Sequence, residues 1–286
     1  MIIPRPNHGD ALKEQPEKQY AQSRIRFIRL TSSLILIAVC FILLGVTYAR
    51  NIIWIEEINL WEDAVKKSPQ KARTYEILGN TFKKNNQLDM AIEQYQTALR
   101  LEPNFIKAHN NIGIAFGLKG LNDKAIEHFK IALQLQPDYT RANYNLGNSY
   151  LSNGQYEMAL DAYSKELAHS PNSADAYYGR GLIYSKMNLP SKAFEEYAKA
   201  ILANPQHYQA YMNLANIYDD NGQPEKAIEY YNKAIDINSQ FADAYYNRSV
   251  AYTKLTKPDD AMSDLRRACE LDNTKSCNML YAHTGH

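Results

Sequence analysis

The chain has few of the residues that usually carry chemistry. Among its 286 residues are three cysteines and seven histidines. His8, His109, His128, His169 and His207 do not cluster, and His283 and His286 close the chain, so no spacing suits a metal ion. No glycine-rich loop follows a strand pattern; Gly179 and Gly181 fall inside a helical stretch, which excludes a phosphate cradle. No Ser-His-Asp or Cys-His arrangement can be read, and the carboxylates scatter as they do on solvated helix faces. The sequence therefore predicts no catalytic residue, no cofactor and no metal. An excess of one charge is missing too. Lys and Arg number 32 against 31 Asp and Glu, a net charge of +1, which argues against a nucleic acid partner. Long apolar runs are confined to one place, residues 30–49.

What the chain does have is repetition. From Ala72 to Lys275 one pattern of 34 residues is written six times without an insertion: 72–105, 106–139, 140–173, 174–207, 208–241 and 242–275. A small residue returns at Gly79, Gly113, Gly147, Gly181, Ala215 and Ser249, and an aromatic three places later, from Phe82 to Tyr252. A second small residue marks Ala91, Ala125, Ala159, Ala193, Ala227 and Ala261. Four places on stands a large one: Tyr95, Phe129, Tyr163, Tyr197, Tyr231 and Leu265. Small and bulky residues one helical turn apart set a hole beside a knob. Eight of the 22 tyrosines fall in these packing columns. Asn86, Gly120, Gly154, Asn188 and Gly222 separate the two halves of each unit and tolerate the left-handed backbone that ends a helix; only Thr256 breaks that series. Pro190, Pro224 and Pro258 fall where a first helical residue can spare its N–H. Each unit reads as two antiparallel helices.

These columns resemble the tetratricopeptide repeat, a period of about 34 residues. The resemblance implies an all-α fold: a right-handed solenoid of six helix pairs whose first helices line a concave groove. No central core is expected; stability is spread along the stack.

Ahead of the repeats, residues 1–29 read as a polar tail. The segment 30–49, LTSSLILIAVCFILLGVTYA, carries no charge over a length that spans about 30 Å as helix, and reads as one transmembrane helix rather than a cleaved signal peptide. The tail holds six basic residues against three acids, which places the N-terminus in the cytoplasm and the repeats on the far side, in a periplasm if the source is bacterial. Residues 50–71 read as a connecting helix, the second half of a degenerate repeat. Leu60-Trp61-Glu62-Asp63-Ala64-Val65 also resembles the junction of polytopic glycosyltransferase-like membrane proteins, whose polytopic part is missing here. Residues 276–286 are expected to be too short for a full capping helix.

The surroundings of Cys269 and Cys277 resemble cysteine-rich Sel1-like repeats. That resemblance implies a disulfide across the turn, suited to an oxidising compartment.

The expected binding face is the groove. Asn111, Asn145, Asn213 and Asn247 share one column, and Asn80, Asn148 and Asn216 the column three places on. Asparagine is a mediocre helix former, so packing gives no reason for its return. The series resembles the asparagine ladder of O-GlcNAc transferase members of the family, which implies amides that give and accept hydrogen bonds along an extended peptide. Ile77, Ile114, Gly179, Leu182 and Val250 interrupt it. Arg73, Lys107 and Arg141 occupy an inward column that becomes Asp175, Gln209 and Asp243, while Tyr144, Tyr178 and Tyr246 add aromatic faces. The carboxylate clamp of chaperone-binding family members is matched at Asn80, Asn111 and Arg141, but Glu76 and Asn145 stand where it needs basic residues. The sequence thus predicts a membrane-anchored scaffold for a protein or peptide, an adaptor or assembly factor of an envelope complex. The alternative is a non-catalytic targeting subunit of a membrane glycosyltransferase.

Overall fold

The computed structural model describes residues 39–40, 42–46, 48 and 57–284. The polar tail and most of the apolar run 30–49 lie outside the described residues. Those of the run that are described are helical and exposed, and among the described residues no helix is long and apolar enough to cross a membrane. The chain divides into two units, Met1–Lys67 and Ser68–His286. In the first, residues 57–67 are helical.

The second unit holds the repeats, and every regular element described in it is an α-helix. The six pairs are α1 (Ala72–Lys84) with α2 (Leu88–Leu101), α3 (Ile106–Leu118) with α4 (Asn122–Leu135), α5 (Thr140–Ser152) with α6 (Tyr156–His169), α7 (Ala174–Lys186) with α8 (Pro190–Ala203), α9 (Tyr208–Asp220) with α10 (Pro224–Ile237), and α11 (Ala242–Lys254) with α12 (Pro258–Glu270). The first helices begin every 34 residues, as the columns require. A further helix, α13 (Thr274–Thr284), follows. Of the segment expected to be too short for a full capping helix, residues 276–284 belong to it, and Thr274 and Lys275 supply its start. Asp272, at φ 63°, turns the chain sharply, and Asn273 accepts the backbone N–H of Ser276, so the helix starts two residues ahead of the 34-residue register.

The turns inside the pairs share one design. Asn86, Gly120, Gly154, Asn188, Gly222 and Thr256 all have φ between 55° and 73°. The next residue's N–H reaches back to the carbonyl of the aromatic column, from Gln87 to Phe82 at 2.9 Å through to Lys257 to Tyr252 at 3.0 Å. This closure satisfies carbonyls that the helix end would otherwise orphan. Thr256 therefore adopts the common conformation although its branched side chain disfavours it.

Packing follows from the hole and the knob. Tyr95, Phe129, Tyr163, Tyr197 and Tyr231 are fully buried, and so are the alanines one turn before them. A methyl group added at Gly79, Gly113, Gly147 or Gly181 would stand 2.5–2.6 Å from the ring of its own unit's knob, closer than any van der Waals contact allows. Glycine is thus demanded by close approach, and the first helix of each pair is drawn onto the second. Neighbouring helices pack in sequence along the stack, and first helices also touch one another, α1 with α3, α3 with α5, α5 with α7 and α9 with α11. The first helices therefore form the shared inner face.

The inner face of the first helices

The structure corrects one expectation about the asparagines: packing does explain three of the seven. A buried hydroxyl needs a partner, and leaving it without one costs about 1–3 kcal/mol. The Tyr95 hydroxyl donates to Asn80 Oδ1 at 2.7 Å, Tyr163 to Asn148 at 2.5 Å and Tyr231 to Asn216 at 2.6 Å. In the second and sixth units the knobs, Phe129 and Leu265, have no hydroxyl, and the matching inner positions are Ile114 and Val250. The fourth unit has Tyr197 with Leu182, and there Ser185 meets the hydroxyl instead at 3.1 Å. Asparagine in this column is a structural partner of the knob.

The other asparagine column spends its N–H groups sideways. Asn111 donates to Glu76 at 2.8 Å and to Asn80 at 3.0 Å, Asn145 to Asn110 at 3.1 Å, Asn213 to the Tyr178 hydroxyl at 3.3 Å, and Asn247 to Asn216 at 3.1 Å. These bonds run between consecutive first helices and stitch the inner face together. The side-chain oxygens (Oδ1) of Asn111, Asn145 and Asn247 take no hydrogen bond among the described residues, so that column still offers acceptors.

The aromatic faces are half-buried. Tyr144 packs 6.0 Å from the Tyr163 ring, Tyr178 lies 4.7 Å from His207 and 5.8 Å from Tyr197, and the Lys275 ammonium sits 5.9 Å above Tyr246. Burial pushes the phenol pKa of Tyr144 and Tyr178 up. Burial also lowers the pKa of His207, whose Nδ1 accepts the Ala210 N–H at the start of α9 and whose Nε2 is 3.4 Å from Asp175.

A cavity of 640 Å³ gathers several of the sequence-predicted residues: Asn80 from α1, Lys107 and Asn111 from α3, and Arg141, Tyr144 and Asn145 from α5. Lys107 and Arg141 are exposed and make no ion pair among the described residues. Asn145 and Asn148 share a recess of 210 Å³, and Tyr246 and Asn247 border a separate hollow of 590 Å³ with Asp243 and α13. Arg73 is exposed at the start of α1, outside these spaces; Tyr178, Asn213 and Asn216 are engaged in the bonds described above. Glu76, noted in the sequence only as a mismatch to the clamp, and Glu166, which sequence reasoning passed over, also line the large cavity. Glu166 was detectable: five units have a buried alanine at its position, Ala98, Ala132, Ala200, Ala234 and Ala268.

Away from this face, Cys269 and Cys277 are joined by a disulfide, with Cα atoms 4.8 Å apart, linking α12 to α13. Among the described residues no group of three or more His, Cys, Asp or Glu side chains is placed to hold a metal.

Family models described as TPR repeat match residues 79–120, 118–154 and 147–188, and models described as tetratricopeptide repeat match 174–207, 208–241 and 242–275. The sixth unit is thus matched as an ordinary repeat. No curated protein matches the chain. Among solved structures, the APC/C hetero-tetramer Cut9-Hcn1 is 17% identical, with a TM-score of 0.67 over 79% of this chain. This chain spans 45% of that one. MamA is 30% identical, with a TM-score of 0.52 over 58% of this chain and 97% of its own. YrrB, described as a TPR protein with an unusual peptide-binding site, is 23% identical, with a TM-score of 0.52 over 66% of this chain and 97% of its own.

Proposed function

Since the chain belongs to the tetratricopeptide repeat family, whose matches run without a gap from residue 79 to 275, we propose that it is a non-catalytic scaffold holding an extended protein segment along α1, α3 and α5. The observation that carries this reading is the 640 Å³ cavity, where unpaired Lys107 and Arg141 stand beside amide oxygens without a donor. Amide oxygens suit the N–H groups of an extended chain, and the two cations suit its acidic side chains. Four such contacts at a net ~1 kcal/mol each give only roughly millimolar affinity, so confinement of both partners to one surface would be needed to raise the effective concentration.

The membrane supplies that confinement in this reading. Support comes from the uncharged run 30–49 with Arg24, Arg26 and Arg29 before it, and from a disulfide that suits an oxidising compartment. The chain would then serve as an anchored adaptor for an envelope complex.

Site-specific photocrosslinking in cells tests the groove. A photoreactive residue replacing Arg141 should capture a defined partner, and one replacing Lys165 on α6 should not. Equal capture from both positions would remove the inner face from the account. Resistance of the chain to alkaline extraction from membranes tests the anchor.

A further inference from the structure

The third and fourth units depart from the repeat three times at one junction. Glu166 on α6 replaces the buried alanine of the other five units. Gly179 on α7 replaces the ladder asparagine, and Asp175 replaces the basic residue of the first three units. An alanine column is filled by close helix packing, so a carboxylate there brings a desolvation cost with no packing return.

Glu166 is 7% exposed and lines the 640 Å³ cavity, and its Oε2 has no hydrogen-bond partner. Ser170 reaches the carboxylate and His169 lies close enough to favour its charge, but burial outweighs both and raises its pKa. The Tyr144 phenol is near enough to feel the charges of Glu166 and Asp175. Gly179 lets α7 close onto the knob of the third unit, since a methyl group there would fall 2.5 Å from the Tyr163 ring. Lys107 and Arg141 enter the same cavity from the starts of α3 and α5, yet neither pairs with Glu166.

We propose that this junction is a socket for the cationic head of a basic side chain, with Glu166 as counter-ion, the Tyr144 ring as wall and Asp175 at the rim. A guanidinium or ammonium fits on three grounds. It supplies donors to the orphaned oxygen, it is attracted to the aromatic face, and it neutralises a charge that the fold alone leaves uncompensated. The bound segment is then dipolar, its basic side chain at the third and fourth units and its acidic part toward Lys107 and Arg141. The socket rests on the groove reading and names the chemistry that the groove selects.

The test uses the full-length protein with butylguanidinium, butylammonium and the neutral butanol as probes, read by amide chemical shifts. In the wild type either cation should shift Tyr144, Glu166 and Ser173, while butanol should not. Glu166→Ala and Glu166→Gln should weaken that binding at least tenfold. Glu166→Ala restores the residue of the other units, so its melting temperature should not fall. Absent shifts in the wild type, equal shifts in Glu166→Ala, or equal shifts with butanol overturn the socket. A parallel array of N-acetylated decapeptides separates the two readings. Capture that favours Arg or Lys in the wild type and loses that preference in Glu166→Ala supports both. Capture without the preference overturns the socket and leaves the groove. No peptide capture alongside cation shifts overturns the groove and leaves the socket.

Discussion

The first, third and fifth units close their cores on tyrosine, and the second and sixth on phenylalanine or leucine. The inner column follows that choice: asparagine stands opposite each of the three hydroxyls, and isoleucine or valine opposite the residues without one. A second alternation lies beneath it. At the core position of Leu78, Ile112, Leu146 and Leu214, the fourth and sixth units carry Arg180 and Arg248, each facing an acid sixteen residues on. Arg248 holds Asp264 through two hydrogen bonds of 2.7 Å and donates to Asn232 at 2.5 Å, while Arg180 lies 3.2 Å from Glu196, which also receives Lys199 at 2.8 Å. The comparison teaches that one geometry accepts apolar or polar cores, provided that a polar residue arrives with its partner.

The largest expected effect comes from separating such a pair. Asp264→Ala leaves the half-buried Arg248 without its carboxylate and should cost about 3 kcal/mol, read as a lowered denaturant midpoint. Arg248→Leu combined with Asp264→Ala copies the Leu146 and Ala162 of the third unit and should recover most of the loss. Failure of the double variant to recover would show that the units are not interchangeable.

A smaller break removes one hydroxyl. Tyr163→Phe strands Asn148 Oδ1 and should cost about 1–2 kcal/mol. Adding Asn148→Ile reproduces the Phe129 and Ile114 of the second unit and should restore stability, whereas Asn148→Ile alone should be the worst of the three because it strands the buried Tyr163 hydroxyl. Equal stability of all three would end the structural account of that column.

The comparison sharpens at the turns. Thr256 holds φ 55° where five units use Asn or Gly. Thr256→Gly should stabilise the sixth unit by about 1 kcal/mol, detectable as a raised melting temperature.

The smallest effect is the pH dependence. Burial lowers the pKa of His109, His128 and His207. Unfolded histidines protonate near pH 6.5, above the folded values, so below that pH the unfolded state binds more protons and stability falls with acidification. Glu166 works the other way: its folded pKa is raised, so its contribution weakens as pH rises from the ordinary carboxylate range. The urea midpoint should drop between pH 7.5 and 5.5, and His207→Asn, which keeps an acceptor for the start of α9, should reduce the drop.

The helices, turns and core were legible because each rests on short-range spacing that recurs six times. Thr256 was read as an exception because composition names a residue and not its φ, and the hydrogen bond from Lys257 to Tyr252 holds the turn regardless. The asparagine columns were legible as columns but not as bonds. Linking Asn148 to Tyr163 means comparing positions fifteen apart across a turn, a correlation that no single unit displays. Glu166 was missed because a lone acid on a helix ordinarily faces water, and only alignment to five buried alanines gives it meaning.

A linear array of helices opens most easily at its ends, since a terminal helix has only one neighbour to leave. The covalent link between Cys269 and Cys277 fastens α13 to the helix before it, so the C-terminal edge cannot peel one helix at a time. The smallest piece that can swing free there is a pair of tied helices, with the exposure cost of both. Fraying at that edge is thereby held to the threshold of a larger cooperative block.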